Sequence, residues 1–287
     1  MPIWLLLLAL LVQMPTVDRL PATGAEPRQL VVYELARQPP APPVIKARAA
    51  MVLDLDTGSD LYQLDPHVRL APASLTKVVT ALVTLDLMGL DQTVTVPASI
   101  NLLPWDSTRM GLRPGEGVTV RELLYGLFLN SGNDAAITLA EAVTSRPVFV
   151  ARMNAKAAAL GMTDTHFANP IGLDDPAHYT SAADLAKAAY ELRSRYPQVA
   201  AMAATLRMTL AATPMHHAYN LYNLNELIRT YPGATGLKTG WTGHAGGCLI
   251  ATAIRDGRHI MAVILGSPRV FEEAATLLDY GFASPPA

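Results

Sequence analysis

The stretch "PASLTKVVTALV" (residues 72–83) begins an apolar helical run with a serine and a lysine three positions apart. Residues at this spacing share a helix face, so Ser74 Oγ and Lys77 Nζ can meet if the helix begins near Ser74. A serine hydroxyl is a weak nucleophile until a base takes its proton, and a lysine can be that base where burial or a second cation lowers its pKa. About one Ser-x-x-Lys match is expected by chance in a chain of this length, so the remaining sequence must supply partners.

Composition limits the classes of protein to which this chain can belong. Its 287 residues, 51% of them hydrophobic, suffice for the core of one large domain or two small ones. The net charge of -2 and the absence of a basic run argue against nucleic acid as a partner. Cys248 is the single cysteine, and the sequence has no HExxH motif or paired-cysteine spacing, so we expect no disulfide, no metal and no cofactor.

The N-terminal sequence predicts export. The apolar run from Ile3 to Val12 is shorter than the roughly 20 residues that a membrane-spanning helix needs, but it suits the hydrophobic region of a signal peptide. We expect residues 1–25 to be a signal peptide or an N-terminal anchor, residues 26–45 a proline-rich linker and residues 46–283 the folded domain. The expected location is the periplasm or the outer face of the cytoplasmic membrane, where an uncleaved N-terminus would keep the chain membrane-associated.

The order of predicted elements indicates an α+β fold. "ARAAMVLDLDTGSDLYQLD" (residues 47–65) reads as a hairpin, and late strand-like segments include residues 205–210, the short "LKTG" and the Gly246–Gly266 hairpin turning at Asp256-Gly257. Helical periodicity marks the middle of the chain at residues 74–88, 120–129, 134–143, 148–160 and 181–192. We therefore expect an antiparallel sheet formed by the N- and C-terminal segments, with a mostly helical middle subdomain.

Two further motifs supply candidate partners for Ser74 and Lys77. Ser131-Gly132-Asn133 lies between two helical runs, where a glycine break can turn a hydroxyl and an amide into a cleft. Lys238-Thr239-Gly240 precedes a strand-like segment, and its glycine lets a ligand backbone approach the strand edge. Taken separately, these residues could equally be helix caps and an exposed strand end.

Together the three motifs resemble those of the penicillin-binding, serine-type D-alanyl-D-alanine carboxypeptidases of low molecular mass, the peptidase S11 family of the β-lactamase/transpeptidase-like superfamily. The likeness runs from Ala49 to Phe282 and includes "LRPGEGVTVRELLYGLFLNSGNDAAITLAE" (residues 112–141) and "GATGLKTGWTGHAGGCLIATA" (residues 233–253). Longer relatives carry a β-rich second domain and a C-terminal amphipathic helix. This sequence stops at "ASPPA", so we expect any membrane attachment to be N-terminal.

The resemblance implies a catalytic group of four side chains. Ser74 attacks the carbonyl of the penultimate D-alanine of a peptidoglycan stem peptide, and β-lactams acylate the same hydroxyl. Lys77 is the neutral base, Ser131 relays a proton to the leaving amine, and Asn133 binds both Lys77 and the substrate amide.

The resemblance also implies a substrate-binding group. Lys238 and Thr239 bind the substrate carboxylate, Gly240 belongs to the same motif, and the backbone amides of Ser74 and Trp241 form the oxyanion hole. Many relatives carry a carboxylate-binding arginine shortly before the last helix. Arg269 lies near that place, one residue out of register, and is a candidate for this role.

Three alternative functions remain at the level of sequence. A D,D-endopeptidase that cleaves peptidoglycan cross-links uses the same residues and differs in the shape of its cleft. A class A β-lactamase needs an added glutamate, and no Glu-x-x-Leu-Asn pattern occurs between Asn133 and Lys238. A non-catalytic peptidoglycan-binding protein has no chemical need for Ser74 together with Lys77.

Overall fold

The computed structural model describes residues 40–285. The expected signal peptide and residues 26–39 of the expected linker lie outside the described residues. The first regular element begins at Ala49, and the main-chain amide of Lys46 donates to Glu273 Oε1 at 2.6 Å. The start of the described domain is therefore attached to a helix near its other end.

Five strands form one antiparallel sheet in the order β2-β1-β9-β8-β7. Within residues 40–285 the strands are β1 (Ala49–Asp54), β2 (Asp60–Leu64), β3 (Thr93–Thr95), β4 (Gly117–Thr119), β5 (Arg207–Leu210), β6 (Tyr219–Tyr222), β7 (Ala234–Thr242), β8 (Gly246–Arg255) and β9 (Arg258–Ser267). Ala49 pairs with Leu265 across β1 and β9, so the two ends of the domain meet in the middle of the sheet. Strand β7 lies at the edge and pairs only with β8 in this sheet.

Helices from the middle of the chain pack on one face of the sheet, and the helix at its C-terminal end covers the other face. In the described part of the chain they are α1 (Lys77–Leu85), α2 (Val120–Phe128), α3 (Asn133–Val143), α4 (Arg146–Ala159), α5 (Ala182–Arg195), α6 (Pro197–Met202), α7 (Leu227–Thr230) and α8 (Val270–Ala283). Thr119 and Glu122 form a capping box that starts α2. Across residues 40–285, every helix is too short or too polar to pass through a lipid bilayer.

The sheet separates two apolar cores. Alternate residues of β9 point to opposite faces, as the period of a strand requires. Met261 and Val263 join the larger core with α1 and the other central helices, whereas Ile260 and Ile264 join the smaller core beneath α8. Because β1, β8 and β9 are buried on both faces, their sequences read as nearly continuous apolar runs.

The predicted α+β architecture is confirmed, with one informative difference at its decisive segment. The sequence predicts a single helix from Ser74, whereas residues 73–76 form a 3-10 turn and the α-helix begins at Lys77. Ala73 has φ 48°, which an uninterrupted helix entry cannot contain. The short strands β3, β4 and β6 were not predicted, because so few residues carry little alternation; the equally short β5 lies within the strand-like segment predicted at residues 205–210.

Candidate active site

The 3-10 turn Ala73–Thr76 carries Ser74 at the junction between the sheet and the helical subdomain. Ala73 occupies the left-handed region of backbone space, a conformation that typically costs an alanine about 1–2 kcal/mol. Two bonds stabilise the turn: Leu75 N donates to Pro72 O at 3.2 Å, and Thr76 Oγ1 donates to Ala73 O at 2.9 Å. The turn thus presents Ser74 from a backbone conformation fixed by its surroundings.

Lys77 lies directly beneath this serine. Its side chain is 0% exposed, and Nζ lies 2.7 Å from Ser74 Oγ and 2.7 Å from the main-chain oxygen of Ile171. Burial lowers the pKa of Lys77 well below its usual value, and the charge of Lys238 lowers it further, while Asp134 acts in the opposite direction. The arrangement favours a neutral amine within reach of a serine hydroxyl.

The segment Ala168–Leu173 forms the wall that contacts Lys77. Asn169 Oδ1 accepts hydrogen bonds from the amides of Ile171, Gly172 and Leu173, which turns the carbonyls of Pro170 and Ile171 toward α1. There they accept hydrogen bonds from Thr80 Oγ1 at 2.7 Å and from Lys77 Nζ. Sequence reasoning did not identify this wall, since its contacts are made by backbone oxygens that any residue carries.

Ser131 lies in the break between α2 and α3, and Asn133 is the first residue of α3. Ser131 has φ 55° and is 4% exposed, and its carbonyl accepts a 2.7 Å hydrogen bond from Thr108 Oγ1. Asn133 Nδ2 donates to Ser107 Oγ at 3.3 Å. The expected bond between Asn133 and Lys77 is absent among the described residues: Lys77 Nζ contacts Ser74 Oγ and Ile171 O. Asn133 Oδ1, the atom that could accept a hydrogen bond from this amine, is buried there without a partner.

Asp134 secures this break from below. Its buried carboxylate accepts hydrogen bonds from the amides of Met110, Gly111, Leu112 and Ala135. Carboxylate bonds to backbone N–H groups are among the stronger hydrogen bonds in proteins. One side chain therefore fixes both the start of α3 and the loop that follows Ser107 and Thr108.

The Lys238-Thr239-Gly240 motif lies on the edge strand β7. Lys238 is 1% exposed, burial lowers its pKa to about 7, and Nζ donates to the carbonyl of Thr239 at 2.9 Å. The sequence assigned to Gly240 a close approach by a ligand. The structure shows a second close approach, by the protein's own turn, since a Cβ at Gly240 would lie 2.9 Å from Ser74 N. Trp241 follows at the rim, 73% exposed.

These residues open into one cleft of about 680 Å³. Its wall includes six of the predicted site residues: Ser74, Ser131, Asn133, Thr239, Gly240 and Trp241. Residues of the wall that were not predicted include Ser107, Thr108, Asp174, Val270 and Phe271. Lys77 and Lys238 lie buried behind this wall rather than on it. Asp174 accepts a 2.8 Å hydrogen bond from Thr242 Oγ1, which connects the two sides of the cleft mouth.

Arg269 is the predicted site residue that the structure does not bring to the cleft. Its guanidinium pairs with Glu272 and lines a neighbouring depression, while Val270 faces the cleft. The cause is the start of α8: Arg269 is the residue just before this helix, with φ -142° and ψ 54°, and the helix begins at Val270. The one-residue offset in the sequence therefore corresponds to an Arg269 side chain that points away from the cleft.

We therefore expect Arg269→Ala to leave activity on a D-Ala-D-Ala peptide within about 2-fold of the unchanged protein, because exposed ion pairs contribute little. Steady-state release of D-alanine measures this, with Arg229→Ala as a surface control. A fall of kcat/KM by about 10-fold or more would place the guanidinium on the substrate after all.

A serine held by a buried lysine, facing an edge strand with a Lys-Thr-Gly motif, defines the class of penicillin-binding active-serine enzymes. The chain matches the D-alanyl-D-alanine carboxypeptidase family, peptidase S11, over residues 36–269. It belongs to this family.

Known relatives agree over most of the chain. The D-alanyl-D-alanine carboxypeptidase DacB2 of Mycobacterium tuberculosis is 38% identical over 250 residues, covering 84% of each protein. DacF of Bacillus subtilis is 36% identical over 245 residues, and these cover 83% of this chain but 62% of DacF. The chain thus spans less than two thirds of that longer relative.

Solved structures show the same fold. A D-alanyl-D-alanine carboxypeptidase from Mycobacterium tuberculosis superimposes with a TM-score of 0.79 at 38% identity, covering 87% of this chain and 97% of the other. A point mutant of the Streptomyces K15 DD-transpeptidase superimposes with a TM-score of 0.78 at 31% identity, covering 84% of this chain and all of the other.

Proposed function

We propose that this protein is a serine D-alanyl-D-alanine carboxypeptidase that removes the terminal D-alanine from peptidoglycan stem peptides through an acyl-enzyme on Ser74. The observation that carries the proposal is the 2.7 Å contact between Ser74 Oγ and Lys77 Nζ, made by a fully buried lysine. A buried amine that is neutral can accept a hydroxyl proton, whereas a solvated lysine cannot do so near neutral pH.

In the proposed acylation, Ser74 Oγ bonds to the carbonyl carbon of the penultimate D-alanine as its proton moves to Lys77. The backbone amides of Ser74 and Trp241 donate hydrogen bonds to the carbonyl oxygen, on which negative charge develops. Removing one such donor typically costs about 10²–10³ in rate. The C–N bond then breaks, and the amine of the terminal D-alanine takes up a proton through Ser131. Water afterwards releases the shortened peptide from Ser74.

The proposed substrate contacts divide between the two sides of the cleft. Asn133 Oδ1, buried without a partner among the described residues, is available to accept the substrate's amide N–H. Thr239 offers its hydroxyl to the terminal carboxylate, and Lys238 supplies positive charge from behind the wall. Lys238 would therefore act on the carboxylate by its electric field, and its charge would add to the effect of burial, which is the main cause that lowers the pKa of Lys77.

Acyl transfer to an amine is a second candidate function. It is favoured by the likeness to the Streptomyces K15 DD-transpeptidase, all of which is covered by this chain. The first half-reaction is identical, and the two outcomes differ only in whether water or an amine attacks the acyl-enzyme. Endopeptidase action on cross-links also shares this first step, with an amine-bearing peptide as the leaving group.

We further propose that the protein is exported and acts on peptidoglycan at the outer side of the cytoplasmic membrane, with residues 1–25 as signal peptide or anchor and residues 46–283 as the catalytic domain. The apolar run at residues 3–12 and the cell-wall substrate of the family support this location. Membrane association through an uncleaved N-terminus remains part of the proposal.

The test is incubation of the full chain with a diacylated Lys-D-Ala-D-Ala peptide while free D-alanine is followed, alongside labelling by a fluorescent penicillin. We expect both release and labelling, each abolished by prior treatment with benzylpenicillin. Added glycine or a cross-linked peptide dimer then distinguishes transfer and endopeptidase action from hydrolysis. A protein that neither releases D-alanine nor becomes labelled would contradict the acyl-enzyme mechanism and support peptidoglycan binding alone.

A further inference from the structure

His178 lies behind the catalytic turn and belongs to none of the three motifs. Its side chain is 2% exposed, its main-chain amide donates to Asp175 O at 2.8 Å, and its ring meets the edge of Phe167 at 5.6 Å. Both ring nitrogens have partners at hydrogen-bond distance: Nδ1 is 2.9 Å from Ala168 N, and Nε2 is 2.8 Å from Thr76 Oγ1. The ring is therefore fixed on every side.

The chemistry of these partners determines the direction of each hydrogen bond. The backbone amide of Ala168 can only donate, so Nδ1 must be an acceptor. In a neutral imidazole the proton then resides on Nε2, which donates to Thr76 Oγ1. Thr76 in turn donates its own hydroxyl proton to Ala73 O at 2.9 Å. Three hydrogen bonds run in one direction from Ala168 to the residue before Ser74.

This chain joins the two segments that hold the reacting atoms. One end is Ala168, at the start of the wall whose Ile171 carbonyl binds Lys77. The other end is Ala73, whose left-handed backbone precedes Ser74. A strained backbone conformation at a functional site persists only where the surrounding contacts hold it in place.

We propose that His178 is a positioning residue for acylation, which holds Thr76 and through it the carbonyl of Ala73, so that Ser74 Oγ stays in contact with Lys77 Nζ. The proposal rests on the proposed function of Ser74. It assigns to His178 no contact with substrate. The neutral ring is essential, because a protonated Nδ1 would face the Ala168 amide donor to donor.

The surroundings keep the ring neutral. Burial is the main cause that lowers the pKa of His178 to about 4. A positive charge on His166 or Lys77 would act in the same direction, whereas the carboxylates of Asp175 and Asp174 act in the opposite one. Above about pH 5 the ring therefore accepts at one nitrogen and donates at the other, a polarity that a glutamine amide shares.

Three variants of the full chain test the proposal. His178→Phe removes both ring hydrogen bonds while retaining a ring against Phe167, and Thr76→Val removes the hydroxyl while keeping nearly the same volume. His178→Gln restores one acceptor and one donor. Stopped-flow reaction with a fluorescent penicillin separates the dissociation constant of the first complex from the limiting rate of acylation.

We expect Thr76→Val and His178→Phe each to lower the limiting acylation rate about 10- to 100-fold, as misplacement of reacting atoms does, with dissociation constants within about 3-fold of the unchanged protein. His178→Gln should recover most of the rate. Because both changes break one chain, the double variant should be about as slow as the slower single variant rather than the product of the two losses.

Several outcomes would overturn the proposal: full acylation rates in Thr76→Val, multiplied losses in the double variant, or losses that only follow the unfolded fraction seen by near-UV circular dichroism. If His178→Phe does not fold, Thr76→Val and His178→Gln still decide. Failure of the unchanged protein to be acylated, with Ser74→Ala as the blank, would instead refute the proposed function on which this inference rests.

Discussion

Lys77→Met is expected to lower the rate of acylation by penicillin about 10³- to 10⁴-fold while leaving a folded protein. General-base catalysis typically contributes about 10²–10⁴ in rate, and the proposed base also contacts the proposed nucleophile, Ser74 Oγ, at 2.7 Å. Methionine has nearly the length of the lysine stem and no polar atom, so it fills the same buried space. The rate constant from fluorescent penicillin labelling is the measurement, with Ser74→Ala as the floor.

The same variant carries a prediction about stability. The pKa of Lys77 is lower in the folded protein than in the unfolded chain, so between these two pKa values the unfolded chain binds more protons. The free energy of unfolding therefore rises with pH in that interval, and below it the buried amine is at its most costly. Lys77→Met removes this cost. We therefore expect the free energy of unfolding of the variant, minus that of the unchanged protein, to be greatest at low pH and to decline toward pH 10.

Urea unfolding at pH 6, 8 and 10 checks the sign, since replacing buried charged groups by apolar ones is often neutral or stabilising by about 1–4 kcal/mol. Lys46→Met is the matched control, because its side chain is exposed and should change neither the acylation rate nor the pH trend. A stability difference that grows with pH, or acylation above a tenth of the normal rate, would contradict the assignment of Lys77 as a neutral base.

Gly172→Ala is expected to damage both the fold and the catalytic turn. Gly172 has φ 88°, and a Cβ there would lie 2.0 Å from Ala73 O, far inside contact distance. The turn must move or the wall must retreat from Lys77, and overpacking of this kind typically costs about 1–3 kcal/mol beyond the backbone strain. Because a displacement near 1 Å can cost about 10²-fold in rate, we expect acylation to fall by about that factor.

Gly161→Ala separates the steric effect from the conformational one. Gly161 also has a left-handed backbone, φ 66°, but a Cβ there would meet nothing within 4 Å. It should therefore cost only the strain of about 1–2 kcal/mol and leave acylation unchanged. The measurements are the melting temperature and the rate of penicillin labelling of each variant. Equal losses in Gly172→Ala and Gly161→Ala would mean that Gly172 does not support the turn.

The fold was largely accessible from sequence because its elements are long and regular. The hairpin turning at Asp256-Gly257 and the helices 120–128 and 182–195 have the periodicity and caps that local sequence can express. The 3-10 turn at Ser74 was missed because much of its cause lies elsewhere in the chain: Gly172 and Gly240 make room for it, and His178 contacts its Thr76 hydroxyl.

The candidate site divides in the same way. Ser74, Lys77, Ser131, Asn133, Lys238 and Thr239 stand in short motifs whose spacing can be read directly. His178, Ser107 and the Ile171 carbonyl could not be found, since their positions depend on contacts across 26 to 102 residues or on backbone atoms common to all residues. Arg269 shows the opposite limit, because its place in the sequence did not indicate that its side chain pairs with Glu272 outside the cleft.

The pairing of β1 with β9 also has a consequence for how the protein is made. Lys46, just before β1, contacts Glu273 of α8, although the two residues are 227 positions apart. Closing the sheet therefore requires nearly the whole domain to be present. Contacts of such long range slow folding, because the entropy of closing the loop is lost before the contacts form. We therefore expect the helical middle, rich in local contacts, to form first, and the cleft between it and β7 to become functional only as the last strands join.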